Sequence, residues 1–380
     1  YQPIAEESDE EPFNLETAES FSFAARTDGK LETESTKKND SSPQIKRNSS
    51  YFRSLAAACL LLLSIFATGF SIFSKRVPIP FRQGDKFGYS KWSKQIVIGA
   101  KYDAAFPFAE KRAVVKNADK FGFIDHAGRE IIPLEYDAAE SFADGLAKVA
   151  KTIDGRKKFG FINIHGHPII PLVYEDARSF SEDLAAVKAN GKWSVIDREG
   201  NQFVPFKYDW IDDFSDGLAA VRIENKYGYI DKSGNPTIAP VFDRAKKFFD
   251  SRAPVQKDGK AFFIDKSGNE SMPFKYETAE SFSEGLAMVT RQGKSGFIDE
   301  NGAEWIPFQY EDNQSGFSEG LAVVKLGGKY GFIDRSGKTV IPFKYSSAEQ
   351  IKNNLSLVIT DDGKEFYIGN DGTEFYSPAP

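Results

Sequence analysis

The strongest constraint on this chain is that it says one thing many times. Lys120 to Val149 reads K-F-G-F-I-D-H-A-G-R-E-I-I-P-L-E-Y-D-A-A-E-S-F-A-D-G-L-A-K-V, and the glycine of F-G-F aligns with Gly88, Gly160, Ser194, Gly228, Phe262, Gly296, Gly331 and Phe366. Successive gaps are 34, 38, 34, 34, 34, 34, 35 and 35 residues. A fixed period of that length is the signature of one supersecondary unit laid down in an array, so the usual domain count for 380 residues does not apply.

Each period divides into three strand-like stretches. The first is of the type L-A-A-V-R at Leu218 to Arg222, the second is F-G-F-I-D, and the third is E-I-I-P-L-E-Y. All are short, apolar or alternating, and bounded by turn residues, which is the pattern of strands. Gly and Pro recur too often for a helix, whose interior they break.

The turns carry their own mechanism. Asn190-Gly191, Asp258-Gly259, Gln292-Gly293 and Gly327-Gly328 separate first and second strands. Such pairs accept the positive φ angles of two-residue hairpins. Second and third strands are separated by Asp, two residues and Gly, at Asp125…Gly128, Asp197…Gly200, Asp231…Gly234, Asp265…Gly268, Asp299…Gly302 and Asp334…Gly337. There the carboxylate can accept backbone amide protons while glycine closes the loop in the left-handed region. The 38-residue gap places its extra residues at Ile153 to Lys158, within a first hairpin.

Proline falls late in the third strand, at Pro133, Pro171, Pro205, Pro240, Pro273, Pro307 and Pro342, which predicts an edge strand or a bend because proline cannot donate to a ladder. Connectors such as D-A-A-E-S-F-A-D-G then lead to the next copy. Their Phe142, Phe180, Phe214, Phe248, Phe282 and Phe317 are expected to plug the space between successive sheets, together with Tyr102, Tyr136, Tyr174, Tyr208, Phe242, Tyr276, Tyr310 and Tyr345. Eight copies begin at Ala113, Leu146, Leu184, Leu218, Arg252, Leu286, Leu321 and Leu355, preceded by a half copy over Phe87 to Tyr102.

The consensus G-[FY]-I-D-x-x-G-x-x-x-I-P-x-x-Y-D-x-A-x-x-F-S-x-G-L-A-x-V resembles the WG (or KWG) repeat family over about Val77 to Tyr376. The eponymous Trp-Gly pair is nowhere intact: Trp193 precedes Ser194, and Phe121, Phe159, Tyr227 or Tyr330 takes its place elsewhere. The resemblance implies a β-repeat array with no shared catalytic residues, and its motif is one of packing, so it assigns no binding residue. The expected fold is all-β, with tandem three-stranded antiparallel meanders over residues 77–376. They form either a propeller-like ring, the favoured arrangement, or an open solenoid.

Ahead of the array, residues 1–54 are polar. Two basic and ten acidic side chains lie in residues 1–36, and five basic against one acidic in residues 37–53. Such a segment buries too little apolar surface to offset its ordering entropy and reads as a disordered tail. Leu55 to Phe73 follows, nineteen residues without a charge. A helix of that length spans about 28 Å, near the hydrocarbon thickness of a bilayer. Its ten Leu, Ile and Phe residues favour insertion by roughly 3 to 6 kcal/mol in sum. One transmembrane helix over 55–73 is therefore expected, with the lipid bilayer as a partner. The five basic residues before it (Lys37, Lys38, Lys46, Arg47, Arg53) against four after (Lys75, Arg76, Arg82, Lys86) set the repeats on the extracytoplasmic side.

A net charge of −6 argues against nucleic acid, whose phosphates need a basic face. The single cysteine, Cys59, lies in the apolar segment, so no disulfide framework forms within the chain. Of three histidines, His165 and His167 flank Gly166 in a turn and His126 stands alone; neither arrangement supplies the three or four ligands of a metal site. Carboxylates that stand out, such as Asp125 and Glu284, recur along the repeats, whereas a catalytic pair would break the pattern. No catalytic, cofactor or metal residue is assigned. The pattern-breakers Trp92, Trp210, Trp305 and the Arg252 to Pro254 stretch are the candidates for contacting a partner.

The expected function is a membrane-anchored, non-enzymatic repeat protein that presents a surface to a protein or glycan ligand, with no cofactor. Two other readings stay open. One is an extracytoplasmic sensor region of a signalling enzyme whose catalytic domain lies upstream of Tyr1; the other is a hydrolase built on the β-array.

Overall fold

The structure is a computed structural model that describes residues 77–272, 275–311 and 316–378. The 1–54 tail, the 55–73 apolar segment and Pro273 lie outside them. Among the described residues every regular element is a β-strand, and no helix is long and apolar enough to cross a membrane.

The unit that follows the N-terminal one shows the plan. Strands Ala104–Ala105, Ala113–Asn117, Lys120–Ile124 and Glu130–Tyr136 pair antiparallel in chain order. The three predicted strands are present. The two-residue lead strand is an addition: the D-A-A start of the connector stays extended and pairs Ala104 with Lys116 and Ala105 with Val115. The third strand lies at the sheet edge, as its proline requires.

The hairpins follow the turn chemistry. Asn190 and Gly191 have φ of 50° and 76°, and Asp258 and Gly259 have 51° and 74°. Ala118-Asp119 and Glu224-Asn225 make the same turn without glycine, at φ between 47° and 67°. In the Asp…Gly turns, Asp125 Oδ1 accepts from the amides of Ala127 (2.9 Å) and Arg129 (3.0 Å). Asn163 does the same for His165 and His167, both at 3.0 Å. The four-residue insertion does not sit at a loop tip alone. It lengthens both strands, Leu146–Ile153 and Arg156–Asn163, adding pairs Thr152 with Lys157 and Ile153 with Arg156 beneath an Asp154-Gly155 turn.

The glycine of the second strand lets the third strand bulge close over it. A Cβ on Gly122 would lie 2.6 Å from Ile132 O and 2.8 Å from Leu134 N, because the third strand bulges directly over it. Where the position is Ser194 or Phe262, the sheet has three strands among the described residues, and the third segment makes isolated bridges, Trp193 with Tyr208 and Ala261 with Tyr276. A side chain there blocks the close approach that the bulged ladder needs.

Packing runs between units. Phe123 of one sheet meets Phe142 of the next connector at 5.0 Å between ring centres, within a cluster that spans Val114, Ile132, Tyr136 and Val149. The same edge or tilted pairing recurs as Phe161–Phe180, Tyr229–Phe248, Phe263–Phe282 and Phe297–Phe317. The connector phenylalanines and the Tyr136 series thus act as plugs, each cluster mixing residues of two consecutive units.

At the N-terminal end the half copy is larger than expected. Ile79–Gln83 pairs with Lys86–Ser90 as a first strand, driven by buried Ile79 and Phe81. That strand also pairs in parallel with the last one, Glu374–Ser377, through Arg82 opposite Tyr376 and Gln83 opposite Ser377. Both ends of the array therefore share one seven-stranded sheet.

Candidate binding face

The connectors hold the residues that differ most from copy to copy. Two positions before each buried connector ring stand Phe106, Glu140, Arg178, Asp212, Lys246 and Glu280, and then Glu349 before Ile351. The local reason for their convergence is the fold: each connector turns its aromatic ring inward as a plug and leaves the preceding residues facing the neighbouring connector.

The signs alternate, and the charges pair across units. Lys148 lies 2.5 Å from Glu140. Arg178 reaches Asp212 at 2.5 Å and Asp213 at 2.6 Å in the next unit, and Lys247 of the unit after reaches Asp213 at 2.6 Å. Lys246 pairs with Glu280 one unit further on. Burial pushes the carboxyl of Asp212 up despite Arg178 and Lys247 beside it. Burial works the same way on Asp213, but its hydrogen bonds to Arg178 and Lys247 outweigh it and hold that carboxyl below its ordinary range. Arg178 loses solvation too, and the two aspartates more than restore its charge.

Trp210 belongs to this face. The Arg178 guanidinium sits 5.4 Å from its ring centre, and Tyr227 packs on its edge at 5.8 Å. A cavity of about 440 Å³ opens here, lined by Glu140, Arg178, Ser179, Trp193, Trp210 and Asp213. A half-buried aromatic floor beneath a paired guanidinium can hold a flat or aromatic group of a partner by stacking, with charged hydrogen-bonding groups around it. The other pattern-breakers are elsewhere. Trp92 packs edge-on against Phe375 at 5.3 Å, in the sheet that joins the two ends. Trp305 is 57% exposed and donates its indole N–H to Arg335 O at 2.8 Å. Arg252 lies over the Phe282 ring at 5.7 Å, while Pro254 is buried in the ladder beside Phe263.

His165 and His167 are exposed, 6.2 Å apart between ring centres. His126 packs on Phe108 at 4.4 Å, and burial holds its imidazole below the usual pKa. Among the described residues no three His, Cys, Asp or Glu side chains are grouped to hold a metal ion. Sequence reasoning singled out Trp210 but missed Arg178, Asp212, Asp213, Lys246 and Lys247. The signal was available: one column of the repeat alternates in charge beside a preceding column that is almost always alanine (Ala105, Ala139, Ala177, Ala245, Ala279, Ala348).

The family model described as WG containing repeat matches eight consecutive stretches, 87–121, 121–152, 159–193, 193–227, 227–260, 262–294, 296–330 and 330–364. No curated protein matches the chain. Among solved structures, BamB from Moraxella catarrhalis is similar at 11% identity and a TM-score of 0.39, over 76% of this chain and 92% of that one. Kluyveromyces lactis Hsv2 is similar at 9% identity and a TM-score of 0.39, over 69% and 94%. Likenesses this faint carry no functional meaning.

Proposed function

We propose a binding role from one premise: the chain belongs to the WG containing repeat family. In this reading it is a non-enzymatic, propeller-like array that engages a protein or small ligand on its connector face, anchored to a bilayer through residues 55–73. The observation that carries it is a division of labour. Residues that recur (the Tyr–Phe plugs, the Asp…Gly turns, the second-strand glycine) are occupied in packing, whereas copy-specific charges and Trp210 gather on one face. Such a face specifies a partner without altering the scaffold. The strand pairing of Arg82 with Tyr376 supports a ring rather than an open solenoid.

The test compares the unsubstituted chain with Arg178→Glu and Trp210→Ala variants in cross-linking to proteins of the membrane fraction. Loss of the same cross-linked species in both variants, with unchanged circular dichroism, is the expected result; retention of every species would end the reading. The anchor is tested by alkaline extraction of membranes: chain carrying 55–73 stays in the pellet, and chain lacking it is released. Protease added to intact cells is expected to cut the repeats, in line with an extracytoplasmic array. A sensor region of a larger signalling enzyme remains the second reading, supported by the basic stretch 37–53 that borders the apolar segment.

A further inference from the structure

We infer that the cavity beside Ala261, between the lead strands Arg244–Ala245 and Thr278–Ala279, binds a monocyclic aromatic carboxylate. The ligand's ring takes the place of one that most copies supply themselves, and its carboxylate meets Arg244. The inference goes beyond the binding role proposed above by assigning a second site and its ligand class.

The position before the second-strand glycine is usually a ring: Phe87, Phe121, Phe159, Trp193, Tyr227 and Tyr330. A cation from the paired first strand lies over several of these, as Lys116 does over Phe121 at 5.7 Å and Lys325 over Tyr330 at 5.6 Å. In the copy that begins at Arg252 the position is Ala261, and Gln256 stands opposite it in the ladder. Ring and cation are both missing there. The lead strand of the next copy loses a ring as well, because Thr278 occupies the column of Trp210.

The equivalent place two copies earlier shows how the repeat fills this space. There Asp176, Ala177 and Arg178 share a cavity with Trp193 and Trp210. Beside Ala261 the corresponding residues are Arg244, Ala245, Lys246, Ala261 and Thr278, and a recess of about 70 Å³ is left against Pro254 and Val255. Ser295, the other small residue of the ring column, is compensated differently. Its hydroxyl lies 3.0 Å from that of Thr290, which accepts from Thr278 at 2.7 Å, so a chain of hydroxyls occupies the place. Ala261 has no group with which to build such a chain.

The walls and the mouth select the ligand. Ala245, Pro254, Val255 and Ala261 are buried and apolar, and an apolar recess receives an aromatic ring more readily than water. The space is smaller than the cavity of about 150 Å³ that encloses benzene outright. One ring therefore enters by an edge and carries its substituent toward the mouth, where Arg244, Glu277 and Thr278 are exposed. The charges there are already committed, save one. Lys246 pairs with Glu280, and the Glu277 carboxylate accepts from the amides of Gln292 at 2.9 Å and Gly293 at 3.0 Å. Arg244 is the cation specific to this copy, in a column that elsewhere reads Ala104, Ala138, Asp176, Trp210, Thr278 and Ser347. A guanidinium receives a carboxylate through two parallel N–H bonds and repels an ammonium group.

The probe is phenylacetate, titrated into the full chain by calorimetry beside acetate, which lacks the ring, and benzyl alcohol, which lacks the charge. Saturable binding of phenylacetate at millimolar concentration is expected, with none for acetate. Ala261→Phe restores the residue that Phe121 and Phe159 provide in their own copies. It should weaken phenylacetate about tenfold or more while the melting temperature holds or rises. Arg244 is exposed, so Arg244→Gln reads the site without disturbing the packing. That variant should weaken phenylacetate about tenfold and leave benzyl alcohol unchanged. Absence of saturation at millimolar phenylacetate, or wild-type affinity for it in either variant, overturns the inference. Cross-linking that depends on Arg178 and Trp210 reads the wider binding role separately, so either result can fail while the other stands.

Discussion

Asp209 accepts the amide proton of Glu224, 2.9 Å away and fifteen residues further along, in the hairpin of the next unit. Its other oxygen lies 2.6 Å from Lys192 of the preceding unit. One carboxylate thereby ties two consecutive sheets. Asp103 with Ala118, Asp137 with Thr152 and Asp243 with Asp258 repeat the contact, and Glu175, Glu277 and Glu311 make it with a longer side chain. The acid of the recurring Tyr-Asp or Tyr-Glu is a joint.

These joints predict acid sensitivity. The hydrogen bond to Lys120 and then those to Thr152 hold Asp137 down at about 2, and the bonds to Lys86, Lys192 and Lys226 lower Asp103, Asp209 and Asp243. A carboxyl depressed in the folded state contributes stability above its unfolded value of about 3.9, and that contribution is lost as pH falls through the folded value. Thermal melts should therefore hold near pH 6 and drop steadily between about pH 4 and pH 2. A flat profile across that window would contradict the role of the joints.

The connector rings predict a large local loss. Phe248 is fully buried and meets Tyr229 at 4.8 Å between ring centres. Phe248→Ala removes the plug between two sheets and should cost about 3–5 kcal/mol in urea unfolding. Hydrogen exchange should rise first in the strands Leu218–Ile223 and Arg252–Lys257, which share that cluster.

The second-strand glycine predicts a specific failure. Gly122→Ala places a methyl against the backbone of Ile132 to Leu134, so the Glu130–Tyr136 strand must move away. A loss of about 1–3 kcal/mol is expected, as for other overpacked sites. Amide protection should fall in 130–136 and hold in 113–117. Uniform loss across the sheet would point to a different cause.

The ion network predicts an asymmetry between breaking and removing it. Arg178→Met leaves Asp212 and Asp213 with only Lys247 and should cost about 2–3 kcal/mol, less than for a fully buried pair. Adding Asp212→Asn should recover much of that loss, because the neutral amide no longer needs a cation. A double-mutant cycle on chemical unfolding checks this, and additive losses would show that the two residues do not interact.

The amino-acid sequence by itself determined the unit. The Asp125…Gly128 turn, the Asn190-Gly191 hairpin, the edge proline and the Phe142 plug are local or periodic properties, and each copy states them again. Repetition makes such signals legible, because a residue that recurs every 34 or 35 positions must serve the contact between neighbouring copies. Other features needed the tertiary structure. That Ile79–Gln83 closes onto Glu374–Ser377 depends on residues nearly three hundred positions apart, which no period relates. That Ser194 and Phe262 forfeit the bulged third strand among the described residues follows from a backbone approach visible only in three dimensions. Charge pairing of Arg178 with Asp212 likewise turns on which connectors face one another across the array. Local chemistry writes the unit; long-range geometry decides what the joined units can hold.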